Sequence, residues 1–75
     1  MKTVKYLIII EQAGTNLSAY APDVPGCVAT GTTRDELRQK MQAAIQFHLE
    51  GLDEDEISSV QPTAVADYVT VDVDG

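Results

Sequence analysis

The sequence predicts an α+β fold of order β-β-β-α-β. It reads as an antiparallel three-strand meander plus a C-terminal strand, with one helix packed on one face. Three observations predict it. Residues 3–12 hold a β-branched apolar run and residues 65–73 alternate Val69, Val71 and Val73 with Tyr68, Thr70 and Asp72, both of which read as strands. Between 37 and 52 the apolar spacing changes to threes and fours, which is the period of a helix. Glycine and proline punctuate the chain between these stretches, at Gly14, Pro22, Pro25, Gly26 and Gly51.

The first strand, residues 3–12, points Val4, Tyr6, Ile8 and Ile10 one way and Lys5, Leu7, Ile9 and Glu11 the other. Its β-branched content favours a strand over a helix. The second face is polar at its ends and apolar in the middle. A fully solvated face does not ordinarily carry both Leu7 and Ile9. Two readings stay open: a central strand, or a face partly covered by a second copy.

Ala13-Gly14-Thr15-Asn16 forms the hairpin loop, with Gly14 and Asn16 both suited to positive φ. Residues 17–21 return as the second strand. Pro22 lacks a backbone donor and ends the ladder. Pro25-Gly26 turns the chain again, and residues 27–31 form the third strand.

Thr33 caps the helix, with Glu36 three residues on as its capping-box partner. Asp35 and Glu36 also face the positive end of the helix dipole. The helix runs to about Glu50 and stops at Gly51. Leu37, Met41, Ala44, Ile45, His48 and Leu49 form one stripe, extended by Leu52. Asp35, Gln39, Gln42, Gln46 and Glu50 lie opposite, facing water. Phe47 flanks the stripe and reads as a rim contact of the core. After the acidic run 53–56, residues 57–63 read as a loop and Val65–Val73 as the last strand. The long crossover before it permits a parallel, right-handed connection.

A chain of 75 residues is one domain, here residues 1–75, with a small core that association would reinforce. The formal charge is −7, with five Lys and Arg against twelve Asp and Glu. Phosphate backbones are bound through clustered cations. Direct nucleic-acid binding is therefore not expected, and a basic protein partner is. A single cysteine forms no internal disulfide and fits a reducing cytoplasm. The apolar run Tyr6–Ile10 is too short to span a bilayer.

Catalytic chemistry finds little support. His48, the only histidine, lies within the apolar stripe with no second His or Cys on its face. Cys27 reads as a small hydrophobe entering a strand, without a cationic neighbour to activate it. A metal-dependent nuclease would cluster several acids around its ions. Glu11, Asp67 and Asp72 are the strand-borne candidates, and no spacing draws them together. No cofactor or metal site is expected.

Three segments carry a family resemblance. The first is Ile8-Ile9-Ile10-Glu11. The second is Tyr20-x-Pro22-Asp23-x-Pro25-Gly26-Cys27-x-Ala29-x-Gly31-x-Thr33. The third is Ala44-Ile45-x-x-His48-Leu49-Glu50-Gly51-Leu52. Together they resemble the HicB antitoxins, nearly end to end. The resemblance implies a partial ribonuclease H-like fold without the nuclease's catalytic acids. It also implies a non-catalytic, cytoplasmic protein that binds and occludes a small basic RNA-cleaving toxin of the HicA type. Many HicB proteins carry a C-terminal DNA-binding domain; none is expected here.

The expected partner-binding residues are Asp53, Glu54, Asp55 and Glu56, and the expected assembly is a homodimer or larger. Two alternatives remain: an orphan oligomeric scaffold or small-ligand binder, and a degenerate nuclease built on Glu11, Asp67 and Asp72.

Overall fold

The computed structural model describes residues 3–74. One antiparallel sheet has the strand order β1-β2-β3, with β1 at Ile9–Ala13, β2 at Asn16–Tyr20 and β3 at Val28–Gly31. A long helix α1, Arg34–Glu50, and a short helix α2, Glu54–Ser58, follow. The expected meander and helix are present, but β1 is confined to Ile9–Ala13, and residues 3–8 of the strand expected over 3–12 are not in a strand.

The first hairpin is tight. Ala13 pairs with Asn16, so only Gly14 and Thr15 form the turn. Gly14 takes φ +65°, and no residue other than glycine has positive φ among those described. Positive φ at the first turn position alone is the type II′ arrangement, which matches the twist of the strands. Asn16 thus enters β2 instead of taking the positive φ expected of it.

The second connection hides a core residue. Val24 and Cys27 donate from their backbone N–H to the carbonyls of Ala21 and Val24. These consecutive turns satisfy the backbone locally and tuck Val24 into the core at 0% exposure. Pro22 and Pro25, which have no N–H to satisfy, stand outside. The segment Pro-Asp-Val-Pro-Gly is thus a plug of one apolar side chain held by two turns.

Helix α1 begins as its sequence dictates, with one change. Thr33 is extended at φ −131°, and its side chain accepts from Glu36 N. The return bond from Glu36 goes to Thr32 N at 2.8 Å, one residue earlier than an ordinary capping box. Gly31 makes room for this. A Cβ there would lie 2.7 Å from Glu36 Oε1, inside contact distance. The Thr32 amide, followed by the nearby Lys40 charge, holds the Glu36 carboxyl below the usual glutamate range.

The apolar stripe of α1 packs on β3 and β2. Leu37, Met41 and Ile45 are buried. They meet Ala19, Ala21, Val24 and Cys27, with Ile8, Ile10, Leu17, Ala29 and Leu49 packed around them. Alanines at the sheet centre leave volume for the larger helix side chains. Burying one Leu or Met contributes roughly 1.5–3 kcal/mol.

The structure differs from the expected order after α1. The acidic run does not exit straight into a loop. Asp53 caps α2, and Asp53 and Glu56 form a complete capping box. The chain then returns to the body at two points. Tyr6 Oη donates to the Val60 carbonyl at 2.7 Å. The Asp23 carboxylate accepts from Thr63 N, Thr63 Oγ1 and Ala64 N at 2.9–3.1 Å.

Beyond that anchor, residues 65–73 carry the expected alternation but pair with no strand among the described residues. Val65, Val69, Val71 and Val73 are 70–88% exposed. An apolar strand is stable only where a neighbour supplies hydrogen bonds and a surface to cover. In the structure neither covers residues 65–73. The Cα radius of gyration is 14.7 Å, against about 11 Å for a compact chain of this length.

Candidate partner-binding surface

The acids expected to bind a partner sit on α2, where they play unequal parts. Asp53 Oδ1 accepts from Glu56 N at 2.9 Å, and Glu56 Oε1 accepts from Asp53 N at 3.2 Å. These two side chains are committed to starting the helix, though both remain exposed. Glu54 and Asp55 are exposed without a hydrogen bond or ion pair of their side chains among the described residues. They are the freer charges for a cation to meet. The pattern Asp53-x-x-Glu56 followed by Ile57 is itself a helix-start signature. Sequence reasoning read its charge and passed over its capping chemistry.

Beside α2 lies an apolar surface that the sequence understated. Phe47 is 77% exposed and Val28 is 68% exposed. Phe47 is thus not the rim contact expected of it. The side chain leaves α1 on the flank facing away from Leu37, Met41 and Ile45, where the three-strand sheet is too narrow to cover it. Between Val28 and Phe47 runs an open groove of about 520 Å³, floored by Cys27 and Ala44 and closed by His48 and Leu52. Leu52 leads directly into Asp53. The groove therefore ends where the acidic run begins.

The sheet extends this surface across its outer face. Ile9 lies opposite Tyr20, and Tyr20 lies opposite Val28. Residues opposite one another on neighbouring strands share a face. Ile9, Tyr20 and Val28 thus form one apolar row on the side away from α1, with Tyr20 42% exposed. The next row, Glu11, Ser18 and Thr30, is polar. The surface running from Phe47 through Val28 to Tyr20 is an uncovered apolar feature of the folded body. Exposed patches of this kind, rimmed by charge, mark protein interfaces.

The residues with reactive chemistry do not assemble. Cys27 is 7% exposed, and its Sγ lies 3.9 Å from the Ala44 carbonyl. Burial pushes its thiol pKa up, which holds it as the unreactive thiol. His48 is half-buried in the last turn of α1, where a basic side chain faces the helix's negative end. Glu11 lies on β1, whereas Asp67 and Asp72 lie on the unpaired segment. Among the described residues, no three His, Cys, Asp or Glu come together as a metal site. Also among them, no helix is long and apolar enough to cross a membrane.

Residues 6–73 match the model of the HicB-like antitoxins of bacterial toxin–antitoxin systems. The chain belongs to that family. The match spans the meander, both helices and the valine-rich segment. The chain is also 34% identical over 64 residues to a curated protein of Haemophilus phage HP1, described as an uncharacterized 14.9 kDa protein in the rep-hol intergenic region. That alignment covers 85% of this chain and 48% of the phage protein. The chain thus spans about half the length of that curated relative. No solved structure matches it significantly.

One residue of the family-like stretch acquires a role that sequence reasoning missed. Asp23, in the Pro-Asp-Val-Pro-Gly segment, anchors Thr63 and Ala64 from 40 residues away. No local pattern joins positions so far apart, so the fold alone reveals this contact.

Proposed function

We propose that this chain is a non-catalytic antitoxin that neutralises a small basic RNA-cleaving toxin of the HicA type by covering its RNA-binding surface. The observation carrying the proposal is the exposed Phe47–Val28 groove ending at Asp53–Glu56, on a chain of net charge −7. An apolar centre bordered by acids suits a basic protein: the acids steer and orient it, and the apolar contacts hold it. Membership of the HicB-like antitoxins points the same way. The β-β-β-α part of the chain agrees with the first four elements of the β-β-β-α-β order that the HicB resemblance implies. In this reading the protein acts in the cytoplasm and as a homodimer or larger assembly.

The partner-binding residues proposed are Asp53, Glu54, Asp55 and Glu56, with Phe47 and Val28 as the apolar anchor. The test is capture of the tagged chain from its own cells, followed by titration of the purified partner. A small basic protein recovered in near-equal amount supports the reading. Phe47→Ala should then weaken binding at least about tenfold, the scale of an aromatic anchor. Glu54→Gln with Asp55→Asn should flatten the salt dependence while sparing the α2 cap. A toxin that binds all these variants as tightly as the parent places the interface elsewhere.

A second reading is a self-associating scaffold with no toxin. The exposed valines of residues 65–73 favour it. Recovery of the chain alone, with no basic partner, would move the weight there.

A further inference from the structure

The segment 65–73 and a groove on the other side of α1 both lack a partner within one chain. Helix α1 lies over β3 and β2 and leaves the β1 side of the sheet largely uncovered. There an open groove of about 720 Å³ runs between Val4, Tyr6 and Ile8 on one wall and Met41, Ile45 and Leu49 on the other. Its centre is apolar and is edged by Lys5, Arg38, Gln42 and Gln46, and residues 3–8 on its wall precede the β1–β2 ladder, which begins at Ile9. The backbone of residues 3–8 beside this groove has no strand partner and is therefore open to one. The segment 65–73 supplies what the groove lacks. Val69, Val71 and Val73 fall on one face of an extended chain, and all are at least 70% exposed. Nine extended residues reach about 30 Å, enough to run the length of the groove.

We infer that two copies of this chain exchange residues 65–73, each laying its valine face into the partner's groove between residues 3–8 and α1 and adding a strand beside those residues. The root of the segment supports reciprocity. Tyr6 lines the groove, and its hydroxyl holds Val60, just before the segment departs. Donor root and acceptor groove are thus neighbours on each copy. A single two-fold axis then serves both exchanges, making a closed isologous dimer. A second copy is the occupant favoured over a basic toxin because Lys5 and Arg38 edge the groove and would repel a cationic partner, whereas the inserting face offers Val69, Val71 and Val73 to the apolar centre and Asp67 to those cations. The unpaired Glu54 and Asp55 lie on α2, which is not part of this groove. The inference goes beyond the antitoxin reading and does not depend on it. It names the interface of the proposed self-association.

Each copy carries −7, so added salt screens repulsion and should tighten this dimer. A toxin complex built on the acidic run should loosen with salt.

The experiment is sedimentation equilibrium of the full chain and of the triple variant Val69→Ser, Val71→Ser, Val73→Ser. All three positions are solvent-exposed in the single chain, so the far-UV circular dichroism of the body should persist. The parent should be a dimer, and the variant should weaken it by at least about a hundredfold. A photo-reactive benzophenone residue at position 71 of unlabelled chains, mixed with nitrogen-15 chains, locates the contact. Cross-links to residues 3–10 or 41–49 of the labelled copy support the exchange. A monomeric parent, a variant that dimerises equally well, cross-links confined to one chain, or cross-links between two segments 65–73 would each overturn it.

Discussion

Replacing Asp23 by Ala should free the chain after α2 without unfolding the body. The Asp23 carboxylate accepts from Thr63 N at 3.1 Å, Thr63 Oγ1 at 3.1 Å and Ala64 N at 2.9 Å. Hydrogen bonds to a charged group contribute roughly 1.5–3 kcal/mol net. Ala64 is half-buried and Thr63 is exposed, so water replaces part of what is lost. The three contacts close as a unit and should be counted once. The local opening free energy of residues 60–64 should therefore fall by about 1.5–3 kcal/mol, which is roughly a tenfold to hundredfold loss of amide protection.

The assay is native-state hydrogen exchange read at Thr63 and Ala64. The core amides of Leu37 and Met41 should keep their protection, because Asp23 lies in the turn and makes no bond to α1. Asp23→Asn retains one carbonyl oxygen and should fall between parent and Ala. Equal protection of Thr63 and Ala64 in parent and D23A would refute the anchor. Equal losses at Met41 would show that Asp23 supports the core instead.

Other expectations follow from the same geometry. Met41→Ala removes a side chain that is 1% exposed and should cost about 2–5 kcal/mol in urea unfolding; a loss below about 1 kcal/mol would mean the site collapses or was never packed. Glu36 titrates below the usual glutamate range when folded. Its contribution is thus present above the unfolded value and lost as pH falls through the lowered folded one. Glu36→Gln should flatten the acid limb of stability against pH, and an unchanged limb would show that the Thr32 and Lys40 contacts do not act in solution. Cys27 is buried with a raised thiol pKa, so a thiol reagent at neutral pH should react only as fast as the domain opens; prompt reaction would contradict its burial.

The elements that sequence revealed are those fixed by neighbours in the chain. Gly14 had to turn a two-residue hairpin, and only a residue without a Cβ takes that φ freely. Thr33 and Glu36 announced α1, and the spacing of Leu37, Met41 and Ile45 announced its buried face. The acidic residues 53–56 were visible as charge, but their pattern also fits a cap, and both readings are true of Asp53 and Glu56.

What escaped the sequence depends on surface that only the assembled body defines. Phe47 sits next to the core stripe in sequence, and its exposure follows from how few strands lie beneath α1. Val65–Val73 has the alternation of a strand, but alternation states a preference for a neighbour without naming it. In the single chain no neighbour comes, and the valines stay in water. The link from Asp23 to Thr63 spans 40 positions and depends on where the turn after β2 meets the chain leaving α2.

The central claim is that the acidic and apolar surface beside α2 receives a basic toxin. Its most direct measurement is calorimetric titration of a purified HicA-type toxin into the chain, at several salt concentrations, for the parent, F47A and the E54Q/D55N pair. The account predicts tight, near-equimolar binding by the parent that weakens as salt rises, an at least tenfold loss for F47A, and a shallower salt slope for E54Q/D55N. Binding that is indifferent to salt and to all three substitutions would contradict it.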